Sequence, residues 1–323
     1  MASIPSIDMR LHDEDPETFA AALGEGLSQV GFVGLTNHSV DDALVQRAYG
    51  VFRDFFALAE DDKMRSHLPG QGGARGYTPF GVEHAKDAKA VDLKEFWQVG
   101  RSLPPEHPSS SQYLDNPWPS EVAPEFESVA RELYRQLEAT GLRVLHGVAE
   151  HLGLGRDWFD GRVDYGNSIL RAIHYPPIPD GEAPEGMRAA AHEDINVITL
   201  LVGSGEPGLE IKNHAGEWIA VDTIPGTIVC NVGDMLQRLT NKQLSSMTHQ
   251  VRNPPEPWCR QSRYSIPFFL HFNSDFLIEA LPRCVEAAGT NHFPEPITAD
   301  AYLKERLIEI GLLPGAPDDE AGD

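Results

Sequence analysis

A histidine and an aspartate stand one residue apart in AAAHEDINVITLL, residues 189–201, at the head of an otherwise apolar stretch. Side chains alternate along a strand, so a strand through these residues places His192 and Asp194 on one face and turns Glu193 away. Downstream, SSMTHQVRNP offers His249 in a second predicted strand, with the GD-containing segment NVGDMLQRLTN leading into it. Two imidazoles and one carboxylate form the facial set that suits non-haem Fe(II), with coordination positions left open for other ligands. A His-x-Asp triplet alone fits a strand-end hydrogen bond equally well; the third ligand makes it a chelate.

The next segment, SRYSIPFF, puts Arg263 and Ser265 on one strand face. An arginine fork beside a hydroxyl is shaped to grip a carboxylate. A structural ion pair is the plainer reading of Arg263, although its strand holds no acidic neighbour. Upstream, LRAIHYPP places Arg171, Ile173 and Tyr175 on one face, with His174 opposite, so Tyr175 is a candidate phenolic donor to the same acid or else a core aromatic. Phe269 shares parity with Arg263 and Ser265 and is either a pocket wall or plain core. Arg75 and Tyr77, in the Gly-rich loop LPGQGGARGYTPFG, are candidates for a substrate contact, and Arg171 or Arg75 for a local counter-charge. His38, His146, His174, His214 and His271 are assigned to no metal.

These residues need a rigid frame, and the chain supplies the signals of one. Asp15 and Pro16 fit the N-cap and first position of a helix over PETFAAALGEGLSQV, where Phe19, Leu23 and Leu27 recur at helical spacing. GFVGLTN reads as a strand, and DDALVQRAYGVFRDFFAL as a helix burying Leu44, Ala48, Val51, Phe52 and Phe55. Residues 102–119 are a Pro- and Ser-rich surface loop, followed by a long amphipathic helix through PEFESVARELYRQLEATGLRVLHGVAEHLGL. After it come short β-branched and aromatic segments cut by Gly, Pro and Asn turns, then a closing helix, ADAYLKERLIEIG. That rhythm predicts a mainly β fold with flanking helices, its core a sandwich or jelly roll. The expected organisation is an N-terminal helix and strand region over 1–120, a long helix and connection over 121–165, the catalytic core over 166–275 and a helical segment over 276–323, all one catalytic unit.

Composition narrows the function classes. A formal net charge of −23 repels polyanions, which disfavours nucleic acid and anionic membrane surfaces as partners. No apolar run approaches the length of a membrane span, and the opening MASIPSIDMR lacks the features of a leader, so the expected address is the cytoplasm. Three widely spaced cysteines, Cys230, Cys259 and Cys284, indicate neither a disulfide framework nor a thiolate cage, leaving N and O ligands for any metal. Nothing in the composition demands an oligomer, and a monomer is compatible with it.

The ordered series His192-x-Asp194, His249 and Arg263-x-Ser265 resembles the iron(II)/2-oxoglutarate-dependent oxygenases of the isopenicillin N synthase-like group. The resemblance covers nearly the whole chain: VGFVGLTNHSV, GYTPFG followed by DLKEFW, and PGTIVCNVGDMLQRLTN are each similar to family segments. It implies a double-stranded β-helix, a cupin-like jelly roll, with iron at one open end. It implies His192, Asp194 and His249 as metal ligands, Arg263 and Ser265 as the grip on the distal carboxylate of 2-oxoglutarate, and Tyr175 as an assisting tyrosine. The chain departs from plant members at Ile173, where they commonly carry Asn, and in the longer loop NPPEPWCRQS.

The implied activity is oxidation of a small organic substrate with Fe(II), 2-oxoglutarate and O2, giving hydroxylation, desaturation or cyclisation with succinate and CO2 released. Relatives such as isopenicillin N synthase keep the arginine and serine without using 2-oxoglutarate, so an oxidase of that kind is the alternative within the family. A non-catalytic metal- or acid-binding β-barrel is a second alternative. A zinc hydrolase is a third, but it lacks a base beside the metal and a helical His-Glu-x-x-His.

Overall fold

The computed structural model describes residues 4–83, 90–178, 186–203, 205–221, 226–310 and 312–313. Twelve strands build its two main sheets: β1 (Ser6–Asp8), β2 (Phe32–Thr36), β3 (Gly76–Thr78), β4 (Glu95–Gly100), β5 (Ile169–Tyr175), β6 (Ala189–His192), β7 (Ile198–Val202), β8 (Leu209–Lys212), β9 (Trp218–Ala220), β10 (Ile228–Val232), β11 (His249–Val251) and β12 (Arg263–Leu270). Eight form a sheet in the order β1-β2-β10-β7-β12-β5-β4-β3, and four form a second, β6-β11-β8-β9. Apart from the parallel β1–β2 pair, every pairing is antiparallel.

The two sheets pack through apolar clusters that draw on both. Phe32 and Val229 of the large sheet meet Leu209 and Ile211 of the small one, and Ile173 and Tyr175 meet Ala189 and Val251. This is the predicted jelly roll. Strands β1 to β4, contributed by the first third of the chain, are hydrogen-bonded into the same sheet as β5, β7, β10 and β12.

The long helix, Phe126–His151, covers the other side of the large sheet. Its buried stripe, including Val129, Leu133, Leu137, Val144 and Val148, recurs at helical spacing and packs with Leu170, Ile198, Leu200 and Phe268. Gly141 permits this approach: a Cβ there would stand 2.6 Å from Leu270 Cδ1. The helices Pro16–Val30 and Asp42–Phe56 pack on the long helix. Asp15 accepts from the Thr18 amide at 3.2 Å, as its N-cap position predicts, and Gly31 ends the first of these two helices at φ +72°.

Two expectations need correction. The stretch 189–201 is not one strand but two, β6 and β7, lying in different sheets and joined by a turn. The segment leading toward His249 contains a short helix, Asp234–Leu239, whose start is hydrogen-bonded to that turn. Among the described residues no helix is long and apolar enough to cross a membrane.

Candidate metal centre and co-substrate pocket

The chain crosses between sheets at the point where ligands are needed. Strand β6 ends at His192, and the turn after it is pinned from below: the amides of Asp234, Met235 and Gly233 donate to the carbonyls of Asp194, Asn196 and Val197 at 2.7, 3.0 and 2.9 Å. Asp194 therefore reaches the site from a fixed turn, not by strand alternation. His249 opens β11 directly opposite His192. Glu193, which alternation would turn away, lies past the end of the strand; it accepts from the Thr248 hydroxyl at 2.9 Å and borders the cavity.

One ligand atom from each of His192, Asp194 and His249 lies within 4.8 Å of the others. The two Nε2 atoms stand 3.9 and 3.8 Å from Asp194 Oδ1. His192 Nδ1 lies 2.7 Å from the Ala190 carbonyl and His249 Nδ1 3.1 Å from that of Met247. A carbonyl only accepts, so each Nδ1 carries the proton and each Nε2 keeps its lone pair for a metal. Asp194 Oδ2 is occupied by the Thr199 hydroxyl at 2.6 Å and the Asn231 amide at 2.8 Å, which leaves Oδ1 for coordination.

Protonation states match the need. Burial, reinforced by His249, pushes His192 well below the usual histidine range. Burial would raise Asp194, but the two imidazoles and the two hydrogen bonds outweigh it and hold its pKa down. Two imidazoles presenting Nε2 beside one carboxylate are the donor set a divalent iron takes. Among the described residues this is the one group of three or more histidine, cysteine or acidic side chains able to hold a metal.

The ligands open into a cavity of about 490 Å³, which Arg263, Ser265, Tyr175, Ile173 and Phe269 also line. Antiparallel pairing sets Arg263 opposite Tyr175 and Ser265 opposite Ile173. Arg263 is 3% exposed, its guanidinium lies 5.1 Å over the Tyr175 ring, and its Nε and Nη1 have no hydrogen-bond partner among the described residues. Glu206 is near enough to be stabilised by that charge, but it does not satisfy those two nitrogens. A buried cation with idle donors is costly unless a ligand completes it, and a carboxylate matches the fork.

Arg171 lines the cavity as its parity predicted, but it is already engaged. Its Nη1 lies 3.2 and 3.1 Å from the Glu83 oxygens, and its Nε donates to Gln98 Oε1 at 3.3 Å. Lys94 joins from the side, 2.5 Å from Glu83 and 2.8 Å from Asp92, while Asp92 accepts from the Ala190 amide at 3.0 Å. Burial opposes ionisation of Glu83, yet Arg171 and Lys94 hold its pKa down at about 2. No periodicity in the sequence marked Glu83, Asp92 or Lys94, since they converge from a loop and an extended segment. Thr199 was more accessible to reasoning: it shares parity with cavity-lining Leu201 on β7.

Arg75 and Tyr77 do not reach the cavity. Arg75 is buried with Nη2 on Asn167 Oδ1 at 2.9 Å, packed so closely on Gly100 that no Cβ fits there. Tyr77 is buried with its hydroxyl 2.5 Å from Glu95. Tyr77 serves packing on β3, whose residues are all buried at the sheet edge, and Arg75 does so from the loop just before it. Of the remaining histidines, His271 lines the cavity but is no part of the ligand group. The closing helix, Ala299–Glu309, contributes Leu303, Arg306 and Leu307 to the wall, a role its sequence did not announce.

A jelly roll with two histidines and one aspartate at its mouth defines a non-haem iron oxygenase. Residues 166–272 match the family model described as the 2OG-Fe(II) oxygenase superfamily, and residues 4–121 match the N-terminal model described as non-haem dioxygenase in morphine synthesis. A 2-oxoglutarate-Fe(II) type oxidoreductase from Aspergillus fumigatus is 32% identical, over 78% of this chain and 76% of its own. Among solved structures, a 2OG-Fe(II) oxygenase family protein from Caulobacter crescentus is 45% identical at a TM-score of 0.87, covering 95% of this chain and 99% of that one. A full-length Neurospora crassa protein, solved in complex with alpha-KG and thymine, is 31% identical at 0.83, covering 94% and 96%. The chain belongs to the non-haem iron(II)/2-oxoglutarate-dependent oxygenases. It is an oxidoreductase of the dioxygenase type acting on a small organic substrate, with Fe(II) and 2-oxoglutarate as its cofactor and co-substrate.

Proposed function

We propose that Arg263 and Ser265 hold the distal carboxylate of 2-oxoglutarate and that Tyr175 adds a phenolic hydrogen bond to it. His192, Asp194 and His249 would hold the iron, which supplies oxidative decarboxylation of 2-oxoglutarate with O2 and oxidation of a substrate C–H bond. The observation that carries this reading is the buried guanidinium of Arg263, a side chain that lines the same cavity as the metal ligands and whose Nε and Nη1 have no hydrogen bond among the described residues. Ser265, two residues along the same strand face, adds a hydroxyl where a carboxylate needs a second donor. Thr199 and Asn231 keep Asp194 aimed at the metal, and the apolar side chains Leu201, Ile173 and Phe269 limit water around the reacting atoms.

The outcome we assign is hydroxylation, with desaturation or cyclisation where the substrate's geometry favours it. The four stretches 1–120, 121–165, 166–275 and 276–323 act as one catalytic unit, since the cavity wall draws on all but the second of them. Three free cysteines and the absence of any disulfide among the described residues suit a reducing compartment, and we place the enzyme in the cytoplasm. The strongly acidic surface supports the same small-molecule role without nucleic acid.

The test is spectroscopic. Anaerobic addition of Fe(II) and then 2-oxoglutarate to the purified protein should give the weak visible charge-transfer band of a chelated 2-oxo acid, and Arg263→Ala should lose it at the same 2-oxoglutarate concentration. Iron binding without the band in the wild type would overturn the assignment and favour an oxidase that holds its own substrate's carboxylate on Arg263. Thymine, the ligand of the Neurospora crassa relative, is the first primary substrate to try.

A further inference from the structure

The cavity wall carries four cationic side chains among its described residues: Lys94, Arg171, Arg263 and Arg306. Three are neutralised within the protein. Lys94 sits between Glu83 and Asp92, Arg171 rests on Glu83, and Arg306 pairs with Glu309. Arg263 keeps two buried guanidinium nitrogens without a hydrogen bond among the described residues and is taken up by 2-oxoglutarate in the proposed function. The same wall carries six carboxylates, those of Glu83, Asp92, Glu193, Asp194, Asp234 and Glu309. Iron brings two positive charges and 2-oxoglutarate two negative ones, so the described residues of the loaded cavity keep an excess of negative charge.

Beside Asn196 Oδ1 and Asp234 Oδ1, acceptors without a hydrogen bond elsewhere on the lining, the open positions around Arg171 are donors. Arg171 uses Nη1 and Nε internally, and its Nη2 makes no hydrogen bond among the described residues. Its guanidinium is held 4.2 Å from the Phe96 ring and 5.3 Å from that of Phe269, so the free nitrogen is fixed in place. Asn167 gives its Oδ1 to Arg75, which can only donate, and this orients the amide so that its NH2 is left over. Both side chains line the cavity, on the odd-numbered series that continues through Ile173 to Tyr175. Free donors with no free charge ask for carbonyl acceptors on a neutral molecule. A carboxylate entering here would be desolvated without a counter-ion.

We infer that the primary substrate is an uncharged molecule carrying carbonyl acceptors, of the amide or imide class, bound by Arg171 and Asn167, and that carboxylic acids are rejected. This rests on the assignment of Arg263 and the metal to 2-oxoglutarate. Arg171 is then the specificity-determining residue, and Glu83 sets its preference by cancelling its charge.

The experiment uses the Fe(II)·2-oxoglutarate enzyme without oxygen, titrated with matched probes: benzamide against benzoate, and thymine against 5-carboxyuracil. The charge-transfer band is read first, because its absence would mean failure of the co-substrate assignment and not of the present inference. With the band present, the expected result is that a neutral probe perturbs it and binds at least about tenfold more tightly than its acid partner, the worth of one charge-assisted hydrogen bond or more. Arg171→Met should lower that neutral affinity about tenfold while keeping the band. Glu83→Gln, which uncouples the arginine from its counter-ion, should raise benzoate affinity by a similar factor. A carboxylate that binds the wild type as tightly as its neutral partner would overturn the inference. So would Arg171→Met leaving the neutral affinity unchanged, or silence of every probe in both the wild type and Glu83→Gln.

Discussion

Replacing Arg263 by methionine separates the two roles open to a buried arginine. If the residue were half of a structural ion pair, its removal would strand a buried charge, at a cost of about 3–5 kcal/mol. For a chain of this size that is a fall in Tm of roughly 6–20 °C. The structure points the other way. Two of the guanidinium nitrogens are already idle in a side chain only 3% exposed, so the ligand-free protein bears their burial without compensation. Removing an unsatisfied buried donor returns about 1–3 kcal/mol, offset by about 0.5–1 kcal/mol for the contact with the Tyr175 ring. The iron-free variant should therefore match or slightly exceed the wild type in Tm. Its affinity for 2-oxoglutarate should collapse, because two hydrogen bonds from a charged donor are each worth about 1.5–3 kcal/mol, a loss of at least about 100-fold in Kd. Scanning fluorimetry of the metal-free protein gives the first quantity and anaerobic titration of the charge-transfer band the second. A variant that melts well below the wild type, or that binds 2-oxoglutarate within about tenfold of it, would make Arg263 a structural residue instead.

Thr199→Val keeps the shape of its side chain but takes one hydrogen bond from Asp194; Co(II) or Fe(II) titration should show affinity reduced by about 10–100-fold, and unchanged affinity would remove Thr199 from the metal site's support. Glu95→Ala strips Lys63, His174 and Tyr77 of a shared buried partner at 2.7, 2.7 and 2.5 Å, so chemical denaturation should report a loss of about 3–5 kcal/mol. His12 is buried beneath Arg143 and Arg156, and desolvation, aided by these two arginines, depresses its pKa. The folded state then binds fewer protons than the unfolded one, so stability is full above the ordinary histidine value of 6.5 and declines as pH falls below it. His12→Phe should flatten that acid limb in a series of melting curves; an unaltered limb would assign it to the other buried histidines.

The iron ligands and the jelly roll were legible because residue type, order and β-segment rhythm all agreed. His249 opens its strand as expected, while His192 closes β6 instead of heading the strand that follows. Alternation accounts for Asp194 only in part: a turn between sheets positions it, held by the amide of Asp234 some forty residues on. No local pattern encodes such a long-range bond. Arg171 was readable as inward-facing, but its neutralisation by Glu83 and Lys94 depends on chain segments whose convergence only the fold decides. Arg75 and Tyr77 looked chemical because a Gly-rich loop so often is; in the folded chain their polar atoms satisfy Asn167 and Glu95.

Strand β5 has an implication for how this enzyme can diversify. One face of a single strand carries both Tyr175, beside Arg263, and Arg171, four residues away or about 13 Å at strand rise. Its other face is committed to the interior through Leu170 and Ala172 and to Glu95 through His174. A one-residue insertion or deletion would exchange the two faces and destroy both sites together. Point changes at 169 or 171, by contrast, rewrite one end of the strand without touching the other. Selectivity in this scaffold is thus free to drift by substitution while the reaction stays constant, and a library confined to those positions should yield altered preference far more often than lost chemistry.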